Sequence, residues 1–206
     1  HDDEALPGDQ VAVFLDWARR RGDGEPMAYL LGEREFMGHD FQVSPAVLIP
    51  RPDTELLVET ALEHLRGIVA PRVLDLGTGS GAIAVSIALA RPDAAVDATD
   101  LSADALAVAA ANARRLGAAV AFLPGDWYGA LNGAAPAPTY DAIVSNPPYI
   151  AAADPHLSQG DLRHEPPLAL TDRADGLAAL RRIVRGARAW LKPGGALWME
   201  HGWDQA

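Results

Sequence analysis

The chain has 206 residues, 49% of them hydrophobic and 22% charged, which suits one globular domain with a core of its own plus a small additional segment. It contains no cysteine, so disulfides, thiolate metal sites and thiol nucleophiles are excluded, and a cytoplasmic location is expected. The net charge of -11 disfavours a dedicated nucleic-acid or anionic-membrane binder. The longest apolar run, residues 82–90, is too short to span a bilayer.

The first predicted element is an amphipathic helix near the N-terminus. Its apolar residues recur on one face at helical spacing: Val11, Phe14, Leu15 and Ala18. Three arginines, Arg19, Arg20 and Arg21, follow in the last turn, where positive charge favours the helix dipole. We interpret these arginines as a solvated helix end rather than a binding patch.

Residues 33–48 are predicted to be extended. Phe36 and Phe41 lie on either side of Gly38, which indicates a small hairpin. Two prolines then forbid a helix across residues 49–52. Asp53 or Thr54 is predicted to cap the helix that follows. The apolar stripe of that helix consists of Leu57, Ala61, His64 and Leu65.

From Arg72 onward strands and helices alternate. The predicted strands are residues 73–76, 95–99, 120–123, 142–145 and 196–200. The predicted helices are residues 82–89, which are apolar all round, residues 102–116, capped by Ser102 and ended by Gly117, and residues 177–191, stopped by Pro193, Gly194 and Gly195. This alternation predicts an α/β fold with a mainly parallel sheet and helices on both faces.

A glycine-rich loop follows the first strand of this alternating region. The sequence Gly77-Thr78-Gly79-Ser80-Gly81 stands where a strand meets a helix, and Asp100 ends the next strand. Glycines allow the backbone to approach a ligand, and the carboxylate can accept hydrogen bonds from ribose hydroxyls. Loop and acid together predict a nucleoside-cofactor site rather than a mere tight turn. They leave the cofactor open, because the loop also fits a dinucleotide fingerprint with alanine in its last position.

The tetrapeptide Asn146-Pro147-Pro148-Tyr149 follows the fourth predicted strand, at the same sheet edge. The Asn146 side-chain carbonyl and the Pro147 backbone carbonyl can accept both hydrogens of a planar NH2 group and aim its lone pair at a methyl donor. Tyr149 can stack on the planar group and exclude water. The prolines keep the acceptors aimed, so this pattern favours methyl transfer over a proline-rich turn without function. No catalytic-triad or metal-binding spacing competes, and we expect no metal.

With these residues in place, the chain resembles the bacterial protein-(glutamine) methyltransferases that modify class 1 peptide chain release factors. The matching stretches are residues 25–32, 49–55, 75–81, 146–150 and 165–170. The Asn-Pro-Pro-Tyr motif is shared with adenine methyltransferases, whereas the Ile-Pro-Arg-Pro-Asp-Thr-Glu stretch is more specific. The resemblance implies a class I S-adenosylmethionine-dependent fold, a Rossmann-like sheet, and a target glutamine within a Gly-Gly-Gln loop.

The resemblance also implies residue roles. Residues 77–81 would face the methionine part of S-adenosylmethionine, Asp100 its ribose, and Trp127 its adenine, with Asn146 also in contact with the cofactor. Residues 146–149 would hold the target amide, with Asn146, Pro147 and Tyr149 as the catalytic group. Phe36 and residues 50–54 would either wall the pocket or simply pack the hairpin on the domain.

The same resemblance implies three regions: a partial N-terminal helical domain (1–31), a hairpin linker (32–52) and a catalytic domain (53–206). Family members carry a longer N-terminal helical domain, and they continue with two further strands beyond the position of Ala206. The catalytic domain is therefore expected to be incomplete.

Three alternatives remain open from the sequence. An adenine-specific DNA or RNA methyltransferase would use the same chemistry, but the charge of -11 disfavours it. A nucleoside-binding module without catalysis would not need an intact Asn146–Tyr149 tetrapeptide. A nucleotide-dependent oxidoreductase would leave that tetrapeptide without a purpose. Class 1 release factors are therefore the expected partners, with neither nucleic acid nor membrane.

Overall fold

A computed structural model describes residues 8–133 and 139–205 of the chain, so residues 1–7 and Ala206 of the predicted terminal regions lie outside the described residues. The N-terminal part holds α1 (Gly8–Gly22), α2 (Met27–Leu31), β1 (Glu33–Phe36), β2 (His39–Gln42) and α3 (Asp53–His64). The predicted helix, hairpin and second helix are therefore present. The turn of the hairpin uses Met37 and Gly38, whose φ angles of 52° and 76° suit a two-residue hairpin connection.

The predicted apolar face of α1 is not part of the core. Val11, Phe14 and Leu15 lie on the helix as expected, but all three side chains are exposed. The arginine run behaves largely as interpreted, since Arg19 and Arg21 are exposed. The side chain of Arg20 is partly buried and donates to Glu25.

The predicted capping role of Asp53 or Thr54 is wrong. Pro52 occupies the N-cap position of α3, and no side chain caps the helix. Asp53 and Thr54 therefore stand inside the first turn, too far along to bond the exposed N–H groups. The buried stripe of α3 consists of Thr54, Val58, Ala61 and the following Leu65, whereas Leu57 and His64 are only partly buried.

The larger part of the chain is an α/β layer structure. Its strands are β3 (Arg72–Leu76), β4 (Ala95–Asp100), β5 (Val120–Pro124), β6 (Tyr140–Ser145) and β7 (Leu191–Met199). Its helices are α4 (Ala82–Ala90), α5 (Ala103–Leu116), the one-turn α6 (Pro167–Leu170) and α7 (Ala178–Trp190), with short 3-10 turns at Trp127–Leu131, Pro155–Ser158 and Leu162–His164. The strands pair in parallel in the order β5-β4-β3-β6-β7. This confirms the predicted fold class.

Helices cover both faces of the sheet, and the central strands β3 and β6 have apolar side chains on each face. On one face Val73 and Ala142 pack against α3, α4 and the hairpin. On the other face Leu74 and Ile143 pack against α7, whose Ile183 is fully buried. Helices on both faces are what a parallel sheet requires, and the arrangement leaves only the strand ends for a ligand.

Two helix boundaries in this region test the sequence prediction. Ser102 caps α5 by accepting a 3.2 Å hydrogen bond from the Ala105 N–H, and Gly117 ends that helix with φ 76°, both as predicted. The end of α7 at Trp190 lies one residue before the predicted end at Leu191. The predicted start of the last strand at Ala196 is wrong, because β7 begins at Leu191. The helix passes straight into β7, which contains Pro193, Gly194 and Gly195 within an irregular register opposite β6. A Cβ on Gly195 would lie 2.8 Å from the Tyr140 carbonyl oxygen, so the glycine allows close strand approach there.

Candidate functional site

The candidate site is a cavity of about 460 Å³ at the carboxyl edge of the sheet. The strand order reverses between β3 and β6, and crevices at such a reversal are where open α/β sheets bind ligands. Its lining includes these residues predicted from the sequence: Phe36, Pro50, Arg51, Thr54, Gly77, Thr78, Gly79, Ser80, Asp100, Trp127, Asn146 and Pro148. Phe36, Pro50, Arg51 and Thr54 therefore wall the pocket, in agreement with one of the two sequence interpretations, whereas Pro52 and Asp53 are not among the lining residues.

The glycine loop is fixed by the end of the neighbouring strand. The N–H groups of Gly77 and Thr78 both donate to the Thr99 carbonyl oxygen at 2.9 Å. The Gly79 N–H donates to Oδ2 of Asp100 at 2.9 Å, and the Ser102 N–H donates to Oδ1 at 2.8 Å. Asp100 thus orders the loop and still keeps free lone pairs, because a carboxylate offers about four acceptor positions.

Two glycines of the loop have different surroundings. Gly79 lines the cavity with φ 55°, and a Cβ there would meet no atom within 4 Å, so the backbone borders open space. Gly81 has φ 83°, and its Cβ would come within 3.1 Å of the Ala109 Cβ on α5. Gly81 does not line the cavity. Gly81 allows α4 and α5 to pack closely at the start of α4. The sequence pattern of the loop cannot distinguish a glycine with this packing role from a glycine that contacts the cofactor.

Trp127 lines the cavity and lies in the turn that follows β5. Its φ of 52° places an aromatic residue in the left-handed region, a costly conformation that tends to occur at functional sites. The ring packs on the loop, since a Cβ on Gly77 would lie 3.1 Å from its Cζ3 atom. The preceding Asp126 pairs with Arg182 of α7 at 2.6 Å. The indole therefore lines the cavity next to the glycine loop.

Asp75 is a buried acid that the sequence did not assign to the site. Its side chain is fully buried, and its Oδ2 accepts a 2.7 Å hydrogen bond from the Thr78 hydroxyl. Burial raises the pKa of Asp75 to about 7, and the nearby negative charge of Asp100 adds to the rise. Its Oδ1 has no hydrogen-bond partner. Asp75 does not line the cavity, and its hydrogen bond to Thr78, which does, is its link to the site.

The tetrapeptide after β6 holds Asn146 between the cavity and α3. The Nδ2 of Asn146 donates to the Thr54 hydroxyl oxygen at 3.1 Å. The Thr54 hydroxyl donates to Oε2 of Glu200 at 2.6 Å. Sequence reasoning missed Glu200 as a site residue and gave Thr54 only a wall or capping role. The sequence did offer one signal for Glu200. It is an acidic residue at the carboxyl end of the fifth predicted strand, which lies at the same sheet edge as the tetrapeptide.

The remaining tetrapeptide residues are arranged unequally. Pro148 lines the cavity, whereas Pro147 is buried and neither Pro147 nor Tyr149 is among the lining residues. The Tyr149 hydroxyl donates to Oε1 of Glu200 at 2.9 Å. Burial, reinforced by the negative charge of Glu200, raises the pKa of Tyr149 above its usual range. Tyr149 therefore stays protonated and remains a hydrogen-bond donor.

The segment before α3 is tied to the loop before α6. The fully buried carboxylate of Glu165 pairs with Arg51 and accepts a 3.0 Å hydrogen bond from the Ile49 N–H. A buried charge requires such pairing, so Glu165 fixes the position of Arg51 at the cavity wall. The sequence pointed to both stretches through family resemblance but not to their contact.

The residues at this edge fit a nucleoside-type cofactor. Asp100 lines the cavity and retains acceptor capacity, and Gly79 leaves open space beside the backbone. Among residues 8–133 and 139–205, no group of three or more His, Asp or Glu side chains is placed to hold a metal ion. Within the same ranges, no helix is both long and apolar enough to cross a membrane.

Comparisons with known proteins give consistent relatives. A family model described as methyltransferase small domain matches residues 52–160. The release factor glutamine methyltransferase of Bordetella pertussis is 67% identical, over all of this chain and 75% of the relative. The release factor glutamine methyltransferase of Burkholderia pseudomallei is 58% identical, over 99% of this chain and 73% of the relative.

Solved structures show the same fold. The 16S rRNA N2 G1207 methyltransferase (RsmC) of T. thermophilus, in complex with AdoMet and guanosine, superposes with a TM-score of 0.57 and 24% identity. The match covers 81% of this chain and 40% of that one. A SAM dependent methyltransferase from Agrobacterium tumefaciens gives a TM-score of 0.58 at 19% identity, over 84% and 53% of the two chains. These likenesses establish the class I methyltransferase fold.

Proposed function

The chain belongs to the release factor glutamine methyltransferase family, and on that premise we propose that it methylates the side-chain amide nitrogen of the glutamine in the Gly-Gly-Gln segment of a class 1 release factor. The observation that carries the proposal is the position of Asn146 and Pro148 in the wall of the same cavity as the glycine loop and Asp100. The side-chain acceptor of Asn146 and the nucleoside cradle thus share one space of about 460 Å³.

S-adenosylmethionine, when bound, supplies an electrophilic methyl group on a sulfonium centre, so no metal and no covalent enzyme intermediate are needed. Asp100 accepts hydrogen bonds from the ribose hydroxyls, and Trp127 covers the adenine. Thr78, Gly79 and Ser80 border the methionine part.

The residues of the tetrapeptide orient the acceptor nitrogen. An amide nitrogen is a weak nucleophile because its lone pair is delocalised into the carbonyl group. Asn146 Oδ1 and the Pro147 carbonyl oxygen accept the two hydrogens of the substrate NH2 and turn the nitrogen toward the methyl donor. Pro148 lines the cavity beside the planar group, whereas Tyr149 lies outside the lining and supports the site through its hydrogen bond to Glu200. As the bond from nitrogen to the methyl carbon forms, the bond from that carbon to sulfur breaks, S-adenosylhomocysteine leaves as a neutral thioether, and the nitrogen releases one proton to solvent. Positioning and fixed dipoles supply most of the rate.

The substrate is a protein rather than a nucleic acid on electrostatic grounds. A chain with net charge -11 repels a phosphate backbone, whereas a protruding glutamine loop carries no phosphate. We place the enzyme in the cytoplasm, where its release-factor partner acts. In this assignment residues 53–206 form the catalytic domain, residues 32–52 supply part of the pocket wall through Phe36, Pro50 and Arg51, and residues 1–31 belong to the helical domain.

The experiment is transfer of labelled methyl from S-adenosylmethionine to three candidate substrates: a purified class 1 release factor, its Gly-Gly-Gln to Gly-Gly-Ala variant, and duplex DNA. We expect label on the intact release factor alone. Label on the DNA would replace the substrate assignment by an adenine methyltransferase while keeping the chemistry. Equal label on the intact and the Gly-Gly-Ala release factors would show that the target residue is a different one.

A further inference from the structure

Glu200 stands at the carboxyl edge of the sheet, immediately after β7. Its backbone N–H donates to the Ser145 carbonyl oxygen at 3.0 Å, which extends the strand pairing by one residue and places Glu200 beside Asn146. Glu200 does not line the cavity. Its carboxylate contacts two other residues of the site, so any influence on a substrate is indirect.

Two hydrogen bonds link Glu200 to Asn146 through Thr54, and a third joins Glu200 to Tyr149. The Thr54 hydroxyl donates to Oε2 of Glu200 at 2.6 Å, and the Tyr149 hydroxyl donates to Oε1 at 2.9 Å. The Nδ2 group of Asn146 donates to the Thr54 hydroxyl oxygen at 3.1 Å. The chain of donors therefore runs from Asn146 through Thr54 to Glu200.

The number of protons fixes the direction of this chain. A carboxylate can only accept, so the single proton of the Thr54 hydroxyl is committed to Glu200. The Thr54 oxygen can then only accept from its second neighbour, which must present an N–H group. Thr54 is 4% exposed, so water does not readily substitute for either partner. The carboxamide of Asn146 is thereby held with its NH2 toward Thr54 and its oxygen available to the cavity.

We propose that Glu200 is a positioning residue that, by orienting the hydroxyl of Thr54, keeps the acceptor oxygen of Asn146 turned toward the substrate. The proposal rests on the proposed function, in which Asn146 Oδ1 accepts a hydrogen from the target amide. Shape alone does not select this orientation, because the two ends of a carboxamide are nearly equal in size. A flipped Asn146 would present N–H groups to the N–H groups of the substrate. The lone pair of the target nitrogen would then no longer be oriented toward the methyl donor.

The first test uses two substitutions that keep volume but change the proton count. In Glu200→Gln the new NH2 group can donate to Thr54, which frees the threonine proton to bind Asn146 Oδ1 and favours the flipped amide. In Thr54→Val the acceptor for Asn146 is removed. We expect both variants to lower kcat roughly tenfold to a hundredfold, as misaimed acceptor groups do. Cofactor affinity should change little in both variants, and the free energy of unfolding should change little in Glu200→Gln. Thr54→Val should lower the free energy of unfolding as well, because it leaves two partly buried groups without their partner.

Matched controls separate positioning from general damage. Thr54→Ser restores the hydroxyl and should recover nearly the wild-type kcat. Thr60 lies on the same helix, and its hydroxyl donates to the Leu56 carbonyl oxygen, so Thr60→Val should keep wild-type kcat. Glu59→Gln removes an exposed acid of α3 and should do the same. A wild-type kcat in Glu200→Gln, or a Thr54→Ser variant as slow as Thr54→Val, would overturn the proposal.

A second readout needs no substrate and therefore separates this inference from the proposed function. The side-chain NH2 protons of Asn146, assigned in a 15N spectrum by their disappearance in Asn146→Asp, should exchange slowly with water in the wild type. They should exchange at least about tenfold faster in Glu200→Gln, since their acceptor is lost. Unchanged exchange would reject the inference even if the enzyme methylates release factors. Absence of methyl transfer by the wild type would reject the proposed function and leave the exchange result to decide the role of Glu200.

Discussion

The backbone N–H of Gly79 and the carboxylate of Asp100 are joined by a 2.9 Å hydrogen bond, so the glycine loop and its acidic partner form one unit before any ligand is present. The second carboxylate oxygen accepts from Ser102 at 2.8 Å and connects the same residue to the start of α5. The Asp100 side chain therefore orders the glycine loop, binds the backbone N–H of Ser102 just before α5, and lines the cavity.

Replacing Asp100 should weaken cofactor binding through both of its functions. In Asp100→Asn one of the two backbone N–H groups loses its acceptor, and the ribose loses a charged acceptor. Hydrogen bonds to charged groups contribute about 1.5–3 kcal/mol, so we expect a rise in the Kd of S-adenosylmethionine of roughly tenfold to a hundredfold. Calorimetric titration measures it. Asp104→Asn, an exposed acid on the adjacent helix, serves as the control and should bind as the wild type does. Equal Kd values for all three proteins would contradict the assignment.

Asn146 should matter more for the rate than for cofactor affinity. Asn146→Ala removes an acceptor that orients the target amide, and we expect kcat to fall by about a hundredfold or more. Any loss of cofactor affinity should be smaller than the loss in kcat. Steady-state kinetics with calorimetry on the same preparation separate the two quantities. Asn132→Ala, at an exposed position, is the control. A variant whose activity loss is explained by weaker cofactor binding would move Asn146 from substrate to cofactor.

The parts of this site that could be predicted are those whose residues are close together in the sequence. The glycine loop, Asp100 and the tetrapeptide were recognisable because each sits at a strand end and carries its chemistry in consecutive residues. The glycine loop alone left two kinds of cofactor open, and the tetrapeptide decided between them. Gly81 belongs to the same loop pattern, yet it packs on Ala109 instead of lining the cavity.

The contacts that hold the site together were not predictable, because they join residues far apart in the chain. Thr54 and Glu200 are 146 positions apart, and Ile49 and Glu165 are 116 apart. A single sequence has no local signal for such pairs. The same limit explains why the last strand was predicted to begin at Ala196 rather than at Leu191. Pro193, Gly194 and Gly195 look like a terminator, but close approach of β7 to β6 uses them as a strand irregularity.

Asp75 should make stability depend on pH. Its folded pKa of about 7 lies above the ordinary value of 3.8, so between these values the folded state binds more protons than the unfolded state. Its contribution to stability is therefore full below about pH 4 and is lost as the pH rises through about 7. Asn does not titrate, so the Asp75→Asn variant should not show this loss. The unfolding free energy of the variant minus that of the wild type, measured by urea titration, should therefore increase as the pH rises from about 4 to about 7.

The control for this pH effect has the opposite sign. Arg91 lowers the pKa of the exposed Asp93 to about 2, so stability from that pair is present above the unfolded value and is lost only as the pH falls toward 2. The difference between Asp93→Asn and the wild type should be flat between about pH 5 and pH 8 on this basis. If the Asp75→Asn difference is equally flat, the Asp75 carboxyl does not titrate as described.

Asn112 should be a large stability determinant although it was not singled out in the sequence. This fully buried side chain of α5 accepts from the Gln42 N–H and donates to the carbonyl oxygens of Gln42 and Ser80. Asn112→Ala leaves these backbone groups without partners, which should cost about 3 kcal/mol of unfolding free energy. Gln42→Ala removes only an exposed side chain and should stay within about 0.5 kcal/mol of the wild type. Equal stability of the two variants in urea unfolding would contradict the role of Asn112.

The proposed reaction can be observed directly by tandem mass spectrometry of a class 1 release factor after incubation with this protein and S-adenosylmethionine. We expect one added methyl group, carried by the glutamine of the Gly-Gly-Gln peptide and absent when Asn146→Ala replaces the wild-type enzyme. A methyl group on any other residue, or an unmodified release factor under conditions where the protein binds the cofactor, would contradict the assignment.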